Sequence, residues 1–77
     1  MAALRDEVKA FVVQALACFD TPSQVVVSVK ERFGLEVTRQ QCEAYDPTKY
    51  VGRNLHLKWQ TLFNDTRKRF REETAEI

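Results

Sequence analysis

Apolar residues recur along the first segment at steps of three and four: Leu4, Val8, Phe11, Val12, Ala15, Leu16 and Phe19. Arg5, Asp6, Lys9 and Gln14 fall on the other side. This spacing draws one apolar stripe along a helix and predicts a helix over about 3–19. Asp20-Thr21-Pro22 then breaks the pattern, because the residue before a proline is pushed out of the helical region. Thr21-Pro22-Ser23-Gln24 reads as a new start, with Thr21 as the cap, Pro22 in the first helical position and Gln24 closing a capping box. Val25-Val26-Val27 would suit a strand by propensity alone. The bracketing signals decide for a helix over 22–33, ended by a left-handed Gly34, with Val26, Val29 and Phe33 inward.

A second capping box, Thr38-Arg39-Gln40-Gln41, opens a short helix over about 39–45 that Asp46-Pro47 stops. Residues 46–54 hold a proline and a glycine and read as a loop. The last helix, about 55–73, carries Leu55, Trp59, Leu62, Phe63, Thr66 and Phe70 on one face. The pattern predicts an all-α protein: a small bundle of about four helices containing a helix-turn-helix, with residues 1–77 forming one domain.

Composition narrows the function classes. The 77 residues are 44% hydrophobic and 30% charged, with two glycines and two prolines, a balance suited to a helix-rich globule and not to a disordered tail. A chain of this size buries only roughly 60% of the surface its unfolded form exposes, which leaves one thin core and no enclosed active-site cavity. No phosphate-binding glycine loop, pair of catalytic carboxylates or Ser/Cys–His arrangement is present, so the chain reads as no enzyme and as needing no cofactor. Cys18 and Cys42 lack zinc-ligand spacing. They are expected to be buried free thiols, in keeping with a reducing compartment, and no metal site is expected. No apolar run approaches membrane-spanning length, so no membrane association is expected. The final helix ends in a charged run without a glycine or proline stop, so the chain reads as the N-terminal part of a longer protein.

The formal net charge of +1 hides a strong asymmetry. Residues 1–38 balance at −1 and residues 39–71 at +5, while Glu72, Glu73 and Glu76 close the sequence with −3. The basic block starts at the short third helix, which suits a polyanion; a solvated helical face explains the charge equally well.

The third helix is where chemistry is expected. In a helix-turn-helix the first helix braces across the DNA backbone while the start of the second enters the major groove. Burial of Val37, Cys42 and Tyr45 would leave Arg39, Gln40, Glu43 and Ala44 outside. Arginine suits guanine edges, glutamine suits adenine, and a glutamate can accept from cytosine N4. Thr38 at the cap offers helix N–H groups to a phosphate, and the tripeptide Arg39-Gln40-Gln41 is expected to be exposed at the reading end of the helix. Lys49 and Arg53 in the loop, and Lys58 early in the last helix, are the expected phosphate contacts. Arg67, Lys68, Arg69 and Arg71 read instead as a solvated, ion-paired helix end, and His56 as a surface residue at a helix start. Trp59, Phe63 and Phe70 read as core.

The stretches EVKAFVVQALACFDTPSQV (residues 7–25) and VTRQQCEAYDPTK (37–49) resemble a family of phage and prophage proteins encoded beside packaging genes and often labelled as small terminase subunits. The resemblance covers essentially the whole chain. It implies an N-terminal helix-turn-helix that recognises double-stranded viral DNA for packaging and directs the large terminase subunit, in the cytoplasm of a bacterial host. It places Thr38, Arg39, Gln40, Gln41 and Glu43 on the recognition helix and Lys49 in the flanking loop. Ring assembly is implied for the full-length protein through a downstream region that this chain lacks, so the chain itself is expected to be monomeric. Tyr50 and Val51 depart from the family pattern, where a basic–small pair is expected, and this weakens the expected phosphate grip. The alternatives are a protein–protein interaction module docking through the last helix, and a transcriptional regulator with the same motif.

Overall fold

The computed structural model describes residues 4–75 and holds four helices: α1 (Asp6–Ala17), α2 (Pro22–Phe33), α3 (Arg39–Glu43) and α4 (Leu57–Ala75). Among the described residues there is no strand, and the expected all-α bundle is what forms.

Both predicted capping boxes are in place. Thr21 Oγ1 accepts from the Gln24 N–H at 3.2 Å while Gln24 Oε1 accepts from the Thr21 N–H at 2.8 Å. Thr38 and Gln41 repeat the arrangement at 3.1 and 2.8 Å. Gly34 stops α2 at φ 68°, in the left-handed region as expected. These local signals override the strand propensity of the valine run, and Val25 and Val29 share the buried face of α2.

Helix ends set by tertiary contacts differ from the prediction. Residue 3, the predicted start of α1, lies outside the described residues; α1 begins after Arg5, with Asp6 and Glu7 in its first turn, where negative charge suits the helix dipole. It ends two residues short of Phe19. The Phe19 N–H donates to the Leu16 carbonyl at 3.0 Å and the Asp20 N–H to the Ala15 carbonyl at 3.1 Å. This is a Schellman closure with Phe19 at φ 70°, where glycine is usual. Phe19 therefore leaves the predicted apolar stripe and is 51% exposed. α3 stops at Glu43, not Tyr45, because Ala44 and Tyr45 already turn into the loop. α4 starts at Leu57, where exposed His56 acts as its cap: its carbonyl accepts from the Trp59 and Gln60 N–H groups, and its Nδ1 from the Lys58 N–H.

Helix α1 is the centre of the bundle, packed against α4 on one side and α2 on another, and α3 packs on α2. Gripped from two sides, α1 buries Val13 and Ala17 as well as Val8, Val12 and Leu16, a wider face than the predicted stripe. From α2 the core takes Val25 and Val29, while Val26 and Phe33, predicted inward, are half-buried. Trp59 and Phe63 come from α4 as expected, with Phe70 only half-buried. Phe63 is 1% exposed; deleting a ring so placed costs about 3–5 kcal/mol.

Arg67 corrects another expectation. Its Nε donates to the Ala17 carbonyl and its terminal nitrogen to the Leu16 carbonyl, both at 3.1 Å. The guanidinium also lies 4.1 Å from the Phe19 ring centre and 4.4 Å from that of Phe63. It caps the Ala17 carbonyl and adds a second donor to the Leu16 carbonyl, which already accepts from the Phe19 N–H, and so acts as part of the fold, not as a solvated helix end. Lys68 and Arg69 are exposed as expected, but form no ion pair among the described residues. Cys18, expected to be buried, is half-buried; Cys42 is buried.

Candidate nucleic-acid interface

The five-residue α3 is too short to hold itself, since isolated helices of this length do not form in water. Its neighbours fix it instead. Val37 just before it and Cys42 within it are buried, and the Thr38–Gln41 box closes its first turn. The Lys30 ammonium donates to the Glu36 carboxylate at 3.3 Å, pinning the connection to α2. Burial, with the nearby Glu43 carboxylate second, pushes the Cys42 thiol above its ordinary pKa, so this residue serves α3 as a neutral apolar wedge.

With α3 held this way, its polar residues divide into two groups. Thr38 and Gln41 are occupied: each side chain bonds the other's backbone N–H, and the Gln41 N–H is no longer open to a phosphate. Arg39 and Gln40 are exposed, and their side chains make no hydrogen bond, ion pair or ring contact among the described residues. Glu43 and Ala44, expected to point outward, are half-buried, so Glu43 is only partly available as a base contact.

The loop after α3 is built as firmly as a helix end. Asp46 is 6% exposed, and its carboxylate accepts from the Thr48 N–H at 2.9 Å and the Thr48 hydroxyl at 2.6 Å. This is the local side-chain turn typical of Asp and Thr, and it draws an acid beside α3 into the loop. Successive turns follow, with N–H groups of Lys49, Gly52, Arg53 and Leu55 each donating to the carbonyl three residues back. Gly52 is required by proximity: a Cβ there would lie 2.1 Å from the Asp46 carbonyl oxygen and 3.1 Å from that of Glu43. The loop is thus seated directly on the end of α3.

Its outer side carries Lys49, Tyr50, Val51 and Arg53, all exposed. The Arg53 guanidinium donates to the Tyr50 carbonyl at 2.8 Å and stacks 3.7 Å from the Tyr50 ring centre. From Pro47 to Asn64 the chain has no acidic residue. Lys58 does not join this group. Its ammonium lies 3.0 Å from the Asp6 carboxylate on α1 and 4.6 Å from the Trp59 ring, and this pair holds the Asp6 carboxyl below its ordinary pKa.

Arg39 and Gln40 on α3 and Lys49 and Arg53 on the loop that follows it are all exposed. The structure uses Thr38 and Gln41 as caps and assigns Lys58 to the α1–α4 contact. Sequence reasoning missed the exposed Tyr50–Val51 pair as a surface feature and Asp46 as a buried organiser. The Asp-Pro-Thr spacing was the available signal for the latter. Among the described residues no group of three His, Cys, Asp or Glu side chains could hold a metal ion, and no helix is long and apolar enough to cross a membrane.

The family model described as an uncharacterized conserved protein (DUF2280) matches residues 1–77. No curated protein and no solved structure matches the chain.

Proposed function

The chain belongs to the DUF2280 family, and we propose that it is a helix-turn-helix domain that binds double-stranded DNA, with α3 as its reading element. The observation that carries this reading is the state of Arg39 and Gln40: both are exposed and uncommitted on a helix that every neighbouring contact immobilises. A bidentate donor and an amide side by side at the start of such a helix suit guanine and adenine edges in the major groove. Lys49 and Arg53 supply charge for the flanking phosphates. The family-like stretches at 7–25 and 37–49 support the more specific reading of a small terminase subunit, which would select viral DNA and direct a large motor subunit.

The test is selection of preferred sites from a randomised duplex pool, followed by binding measurements over a range of salt. Arg39→Ala with Gln40→Ala is expected to abolish preference for the selected site, each lost base contact weakening it by about 1–3 kcal/mol. Lys49→Ala with Arg53→Ala is expected to weaken all duplexes alike and to flatten the salt slope by about 2. Duplex binding whose preference ignores Arg39 and Gln40 would remove α3 from the reading role. The interaction-module alternative draws on Leu57, an apolar residue 71% exposed at the start of α4. Self-association of the chain that Leu57→Ser abolishes, together with no duplex binding, would favour it.

A further inference from the structure

The tip of the loop after α3 pairs two large exposed side chains, Tyr50 at 76% and Val51 at 54% exposure. Single exposed apolar residues are ordinary; this pair differs in its setting. The tip is fixed, because Gly52 is seated on the Asp46 and Glu43 carbonyls and Thr48 is bound to the buried Asp46 carboxylate. One cation precedes the pair and one follows it, Lys49 and Arg53, in a stretch free of acids. Arg53 orders the Tyr50 ring by stacking on one face, and the rest of its donor fork is unused among the described residues.

We propose that Tyr50 and Val51 form a wedge that enters the minor groove of duplex DNA beside the site read by α3, with Lys49 and Arg53 on the flanking phosphates. This rests on the duplex-binding reading above and extends it to a second groove. The chemistry fits at each position. Apolar wedges inserted at base steps are a recurring device of minor-groove binding, an aromatic face packs on sugars and bases of any sequence, and the cations answer the closely spaced phosphates of a narrow groove. The wedge would add affinity with little base preference, complementing the specific contacts of Arg39 and Gln40.

The test uses the whole chain, with a fluorescently labelled mixed-sequence duplex, the matching single strand and phosphatidylglycerol vesicles as probes. Tyr50→Ser with Val51→Ser removes no charge and no core contact, so the melting temperature is expected to hold. Its duplex affinity is expected to fall about tenfold with the salt slope unchanged, and energy transfer between dyes on the duplex ends should show the bend of the wild-type complex lost. Tyr50→Phe should retain both. Wild-type duplex binding that the double serine variant matches in affinity and bend would overturn the wedge and leave the α3 reading intact. Failure of the wild type to bind duplex at low salt would overturn both. A variant that loses binding to single strand or vesicles, and not to duplex, would assign the tip to that other surface and overturn the proposal.

Discussion

Two arginine–aromatic contacts in this small bundle do different work. Arg67 stacks on Phe19 and Phe63 and gives its N–H groups to the Ala17 and Leu16 carbonyls. Arg53 stacks on Tyr50 and gives one N–H to the Tyr50 carbonyl. The first guanidinium is half-buried against a helix end; the second stands on an exposed loop tip. The same side-chain chemistry is structural where the donors face the carbonyls of a helix end and available for a partner where they face solvent. Charge counted along the sequence cannot separate the two, because both arginines belong to one basic block.

The largest expected effect falls on the platform beneath the exposed pair. Gly52→Ala forces a Cβ against the Asp46 carbonyl, and the loop must move off α3. A loss of about 3 kcal/mol of stability in urea melts is expected, in the range for overpacking. An unchanged midpoint would show that the loop is not seated as described.

Next comes the direct contrast between the two arginines. Arg67→Ala uncovers Phe63 and leaves the Ala17 carbonyl without its donor, a loss of about 2 kcal/mol. Arg53→Ala is expected to change stability by less than about 0.5 kcal/mol. Equal losses for the two would erase the distinction on which the comparison depends.

Phe19 sharpens it further. At φ 70° a Cβ is strained, so Phe19→Ala loses the ring and keeps the strain, whereas Phe19→Gly loses the ring and relieves it. The glycine variant is expected to be more stable than the alanine variant by about 1 kcal/mol, the reverse of their order in a helix interior. Thermal melts of the two proteins decide it.

The smallest effect lies in the pH dependence. Burial raises the Cys42 thiol and the Tyr45 phenol above their ordinary values of 9.0 and 10.0. Groups raised on folding stabilise the native state fully below their unfolded pKa, and that contribution fades as pH climbs through the folded one. Stability is expected to fall from about pH 9 upward. Cys42→Ala should delay the onset toward the tyrosine range, as urea midpoints across alkaline pH would show.

The parts of the fold written in adjacent residues were legible in the sequence: both capping boxes, the left-handed Gly34, and the helical period of α1 and α4. Contacts between distant residues were not. The Ala17 carbonyl at the end of α1 is capped by Arg67, fifty positions away, and the second buried side of α1 depends on helices packing from two directions. On α3 the exposure of Arg39 and Gln40 was readable from the burial of Val37 and Cys42, whereas the same argument placed Glu43 and Ala44 outside and they are half-buried. The loop was not readable, because its shape follows from a buried carboxylate and a glycine pressed against a carbonyl, and neither has a helical period to announce it. Lys58 illustrates the remaining difficulty: near the basic block in sequence, it is spent on Asp6 of another helix.

The most direct measurement is an NMR titration of the isotopically labelled chain with its selected duplex. Chemical-shift changes are expected to concentrate in residues 38–53, with Arg39, Gln40 and the loop tip moving most and the α1–α4 core still. Changes centred on α4, or none at duplex concentrations that saturate binding, would contradict the reading role of α3.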